Sequence, residues 1–140
     1  MQRQPRSPSA PLLTRAGLRF IFVSGILKAV LGLALFFGLP ELDYTGTEAV
    51  TAVFLYESLA QLAFVYPARR ITSKPVTNRI LNWIVAVTIA LQIATITVPG
   101  FRTVLGLETL DPTALALVAI ALTVSVIGAN LTAHYAIETE

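Results

Sequence analysis

The sequence predicts an all-α fold, a membrane-embedded antiparallel bundle of four transmembrane helices. Three observations carry that expectation. Of the 140 residues, 55% are hydrophobic and only 13% are charged, too little polar surface to cover a soluble domain of this size. The apolar residues fall into four runs of roughly bilayer length, bounded by proline or glycine. Basic residues gather on alternate links: Arg3, Arg6, Arg15 and Arg19 before the first run, and Arg69, Arg70, Lys74 and Arg79 between the second and third. Short basic loops are hard to translocate, so both clusters, and with them both termini, are expected in the cytoplasm. The net charge of +2 and the isoelectric point near 9.3 report this topology, and nucleic acid is not an expected partner. Cysteine is absent, which excludes disulfides, thiolate metal sites and cysteine nucleophiles.

Residues 1–16 are rich in Pro, Ser and Arg without a helical period and read as a disordered basic cytoplasmic tail. The apolar run that follows is longer than a secretory signal core and contains Lys28, so it reads as a retained span over about 18–39. The next link holds Glu41, Asp43 and Glu48 and no base, as a short external loop does. The second span is expected over 48–67, about 27 Å of helix between 49 and 66 at roughly 1.5 Å per residue, with Pro67 closing it. The third, over 79–98, is expected to stop at Pro99-Gly100, leaving 101–113 as a second external turn. Asp111-Pro112-Thr113 reads as a helix start, with Asp111 or Thr113 near the cap, and the fourth span runs over 113–134. Together the spans form one domain over 17–137 in the cell membrane. Neither half repeats the other as an inverted-repeat transporter would.

Inside the spans the conspicuous residues are Lys28, Glu57, Gln61 and Gln92, with Asn82, Asn130 and His134 nearer the cytoplasmic boundary. A charge at mid-bilayer costs several kcal/mol unless it is paired or faces water. Lys28 and Glu57 lie at similar depth in an antiparallel hairpin and are expected to face each other, with Gly25 and Gly32 on the first helix letting the second approach. Gln61 follows Glu57 by one turn. One reading is a polar pocket that binds or passes an ion or proton; the other is a structural pair that fixes the hairpin, with Lys28 snorkelling toward the interface. Gln92 reads as an interhelical hydrogen-bonding group, and His134, without a second His or a Cys, as an interfacial residue.

Ala49-Val50-Thr51-Ala52-Val53-Phe54, continuing through Leu59-Ala60-Gln61-Leu62, is similar to a stretch of the form A-R-T-M-A-F with L-A-Q-L some residues later. Asn78-Arg79, Leu91-Gln92 and Val98-Pro99, then Leu105-Gly106 and Leu110-Asp111, continue the pattern in order. These features resemble the C-terminal membrane domain of P-type cation-transporting ATPases, its last four transmembrane helices, as a stand-alone chain. The resemblance implies four spans with a cytoplasmic C-terminus. It places Gln61 where many such pumps have a Glu or Gln that helps ligate the cation, Phe64 where they commonly have Asn or Asp, and Asn130 near a frequent late Glu. Gln61 is thus a candidate metal ligand through a neutral amide oxygen. The expected role is an accessory or structural module, neither an enzyme nor a cofactor-binding protein, partnered by the lipid bilayer and by a P-type ATPase core or a homo-oligomer. The alternative is an oligomeric ion or proton-coupled transporter using Glu57. Asp43-Tyr44-Thr45-Gly46-Thr47 differs by one residue from the D-K-T-G-T that such pumps phosphorylate, and reads as coincidence because no nucleotide domain adjoins it.

Overall fold

The four long helices of this chain each start on a side chain that satisfies a free N–H group of the first turn. The computed structural model describes residues 14–72 and 78–138; most of the expected tail, and Lys74, lie outside the described residues. The first helix, α1 (Arg15–Gly38), opens on Thr14, whose hydroxyl accepts the Gly17 N–H at 3.1 Å. The second, α2 (Gly46–Thr72), follows the short 3-10 turn Pro40–Leu42 and opens on a reciprocal pair. There the Glu48 N–H donates to the Thr45 hydroxyl at 3.1 Å, and the Thr45 N–H donates to the Glu48 carboxylate at 2.8 Å. Asn78 caps α3 (Arg79–Thr97) by accepting the Leu81 N–H. Asp111 caps α5 (Pro112–Glu138) by accepting the Ala114 N–H at 2.7 Å. Between them lies the short α4 (Pro99–Leu105). The described residues contain no strand, and α1, α2, α3 and α5 are each long and apolar enough to cross a membrane.

Several expected boundaries are corrected. Pro67 does not close α2, which continues to Thr72 with the proline buried inside it. Proline forfeits one hydrogen bond to the preceding turn, but three features carry the helix on. Arg69 and Arg70 occupy the last turn, where positive charge suits the helix dipole; Ala68 and Ile71 pack against Phe20, Ala129 and Ala133; and the Arg70 guanidinium donates to Asn130 on α5 at 3.0 Å. Pro99-Gly100 does end α3, yet it also opens α4, because Pro99 sits at the first helical position where its missing N–H costs nothing. The first five residues of the expected external loop, 101–105, are therefore helical, and Gly106 then turns the chain with φ +65°. At the other end, α1 begins at Arg15, two residues inside the stretch read as tail.

The four spans alternate in direction, with unequal roles. α1, α2 and α5 pack against one another, whereas α3 leans on α2 and α4. The three-helix contact is lined by Ala49, Ala52 and Ala60 on α2 and by Ala114, Ala121, Ala129 and Ala133 on α5, all buried. Small residues let backbones approach closely in a membrane, where water no longer drives helices together. Two glycines complete the fit. A methyl at Gly32 would come within 2.8 Å of the Glu57 carboxylate, and one at Gly128 would run into Leu27. Gly25 faces open space, so of the two glycines expected to admit α2 only Gly32 does so.

Candidate functional site

Lys28 and Glu57 each lie within two residues of the middle of their spans. The Lys28 Nζ stands 2.6 Å from Glu57 Oε2, so the pair expected from depth alone is closed. The lysine side chain is 12% exposed and the carboxylate 39%, which leaves the acid the more accessible partner. Each charge in isolation would cost several kcal/mol in hydrocarbon, and opposite charges in contact cancel much of that cost. Gly32 supplies the room, because the second carboxylate oxygen occupies the space a larger residue would fill.

Beside this pair lies a contact that sequence reasoning missed. Tyr56 is fully buried; its hydroxyl donates to the Lys28 carbonyl at 3.1 Å and meets the Ser125 hydroxyl at 2.5 Å. With the tyrosine proton on the carbonyl, Ser125 is the donor in the second bond. One side chain thereby joins α1, α2 and α5 at mid-span. The signal was a phenol inside an apolar run, since a buried tyrosine hydroxyl ordinarily finds a partner.

The rest of the expected cluster does not assemble. Gln61, one turn from Glu57, is exposed on α2 and has no hydrogen-bond partner among the described residues. The Gln92 amide oxygen is buried without a partner among them, so the expected interhelical bond is not made, and Ser24 Oγ is in the same condition. Hydroxyls elsewhere in the spans, on Ser58, Thr88, Thr97, Thr123 and Thr132, donate to the carbonyl four residues back. No group of three or more His, Cys, Asp or Glu able to hold a metal occurs among the described residues. His134 packs edge-on against Tyr135.

The two ends of the bundle differ. At the acidic end, Tyr44 donates to Asp111 at 2.9 Å, the Thr45 hydroxyl to Glu108 at 3.0 Å, and the Glu108 N–H to the Thr51 hydroxyl at 3.0 Å. The Ala114 N–H, with help from Tyr44 and Thr113, holds the Asp111 carboxyl below its ordinary 3.8. Desolvation, then the Asp111 carboxylate, raises the Tyr44 hydroxyl above its ordinary 10.0. The stretch that imitates a phosphorylation motif is thus a helix entry: Asp43 adopts a left-handed φ of +66°, Tyr44 ties the loops and Thr45 caps α2. At the basic end, beyond the Arg70–Asn130 bond, Tyr66 on α2 donates to Asn82 on α3 at 3.3 Å.

Comparison with known proteins gives one result. A search of curated proteins found no match, and a search of solved structures found none. The family model described as cation transporting ATPase, C-terminus, matches residues 1–133.

Proposed function

The chain belongs to the cation-transporting ATPase C-terminus family, and from that premise we propose that it works as an accessory or structural membrane module without ATPase activity of its own. The family covers the membrane part of such ATPases and not their catalytic part. The observation that carries the reading is the dispersal of the polar groups: Glu57 is closed on Lys28 while Gln61 faces away from the bundle. A hard cation needs several oxygens converging on one point, and Glu57 and Gln61 do not converge. In this reading the basic end and both termini lie in the cytoplasm at the cell membrane, the lipid bilayer is the immediate partner, and the wider partner is a P-type ATPase core.

The test is copurification with a cation pump truncated before its last four spans, coexpressed in the same membrane. Recovery of a complex with restored pump folding is expected. A careful pull-down without association would overturn the accessory role.

One observation favours a second reading, proton-coupled transport through Glu57: its carboxylate is three times as exposed as the Lys28 side chain that neutralises it. Flux in reconstituted vesicles, abolished by Glu57→Gln, would establish it; vesicles showing no flux with the unaltered chain would dismiss it.

A further inference from the structure

Three sides of α2 are turned toward α1, α3 and α5. On the fourth stands Gln61, exposed and without a hydrogen-bond partner among the described residues. It sits within three residues of the middle of its span, or about 4 Å from the bilayer centre at roughly 1.5 Å per residue. The hydrocarbon core is about 30 Å thick, so the short glutamine side chain cannot lift its amide to either interface as a lysine lifts its ammonium. Acyl chains offer no donor or acceptor, and an unpaired amide in hydrocarbon costs several kcal/mol. A second molecule must therefore supply the bond.

We propose that this face of α2 is the contact between two copies of the chain, with Gln61 of one copy hydrogen-bonded to its counterpart. Copies inserted in the same orientation are related by a twofold axis along the membrane normal, which sets every residue at the depth of its own equivalent. A side chain on that axis has to be its own complement. An amide, carrying both donor and acceptor, meets this condition, whereas a lone carboxylate or ammonium would meet a like charge. The neighbouring acid does not oppose the approach, because Lys28 already neutralises Glu57 within each copy. Exposed Val50 continues the same side toward the acidic end, and half-buried Phe54 and Val65 lie between and beyond, giving apolar contact around a single polar bond. The inference goes beyond the accessory reading and does not depend on it.

The absence of native cysteine makes the test direct. Val65→Cys places a thiol one turn from Gln61 and leaves the amide in place, while Ile120→Cys, 60% exposed on α5, reports chance collisions. In phosphatidylcholine vesicles under mild oxidation, Val65→Cys should give a disulfide-linked dimer at least tenfold faster than Ile120→Cys. Adding Gln61→Leu should lower the association constant roughly 3- to 15-fold, the range spanned by single interhelical hydrogen bonds in membranes, with helicity unchanged by circular dichroism. Equal rates at the two thiols would overturn the proposal, as would an effect of Gln61→Leu below twofold. So would cross-linking in cell membranes exclusively to a different polypeptide, which would assign this face to a foreign helix.

Discussion

The trio of α1, α2 and α5 and the lone α3 are all apolar enough to cross a membrane, yet they are held in different ways. The trio is built on alanine and glycine at its contacts, with an ion pair and a shared tyrosine hydroxyl at mid-span. α3 carries branched and aromatic residues almost all round; only Val85 is buried, while Ile80 and Trp83 are each 72% exposed. Hydropathy decides that a helix enters the membrane, and residue size together with placed polar groups decides whether it is gripped there. α3 is retained by its short connection to α4, by Val85 and by the Tyr66–Asn82 bond, and a groove lined by Leu59, Ala63, Val85, Ile89, Leu122 and Val126 separates it from close packing.

Substitutions at these contacts would break or sharpen this contrast. Glu57→Leu strands a lysine that is 12% exposed and should cost the trio about 3–5 kcal/mol, read as a loss of unfolding free energy in mixed micelles. The double variant Lys28→Met/Glu57→Leu should recover most of it, and a double variant as weak as the single would show that the pair is not the source. Gly32→Ala must displace the Glu57 carboxylate and should cost about 1–3 kcal/mol. Gly25→Ala, in open space, should be neutral or stabilising by up to about 1 kcal/mol. Tyr56→Phe should cost about 1 kcal/mol, the scale of interhelical hydrogen bonds in membranes, while Tyr66→Phe at the α3 contact should cost less than about 0.5 kcal/mol; equal losses would erase the distinction between the trio and α3.

The smallest effect is expected at the acidic end. The native state holds the Asp111 carboxyl below its ordinary 3.8, so its contribution to stability is present above that value and is lost as pH falls through the lowered one. Melting temperature followed from pH 6 downward should therefore decline below about pH 4, and Asp111→Asn should flatten that part of the curve without altering the trio's response to Glu57→Leu.

Which of these features could be read in advance follows from how local each one is. The Lys28–Glu57 contact needs only a count of residues from each helix end, and Asp111 announces its cap by preceding Pro112. The Thr45-to-Glu48 box is equally local, a threonine followed three residues later by a glutamate. Pro67 misled because two of the three features that carry α2 past it, the Arg70–Asn130 bond and the packing of Ile71, come from α1 and α5, and only the charge of Arg69 and Arg70 in the last turn belongs to α2 itself. Gln61 shares a helix stripe with Glu57, but a step of four residues turns the side chain by about 40°, enough at the edge of an interface to carry it from α1 to the outside. Tyr56 and Ser125 are 69 positions apart, and joining them requires knowing that α5 closes on α2 while α3 stands aside.

The ion pair has a further bearing on how the polypeptide reaches its membrane. Its partners lie in consecutive helices joined by the tight turn 39–45. A ribosome emitting them releases the lysine first, and the acid that neutralises it follows before the hairpin is complete. Entering as a unit, the two segments hand the translocation machinery a nearly uncharged rod pair; entering singly, each would carry a bare charge into oil. Topogenesis of the first half of the molecule is thereby coupled to its final packing, and a variant that separates the charges should stall at integration before any defect in the folded state can be observed.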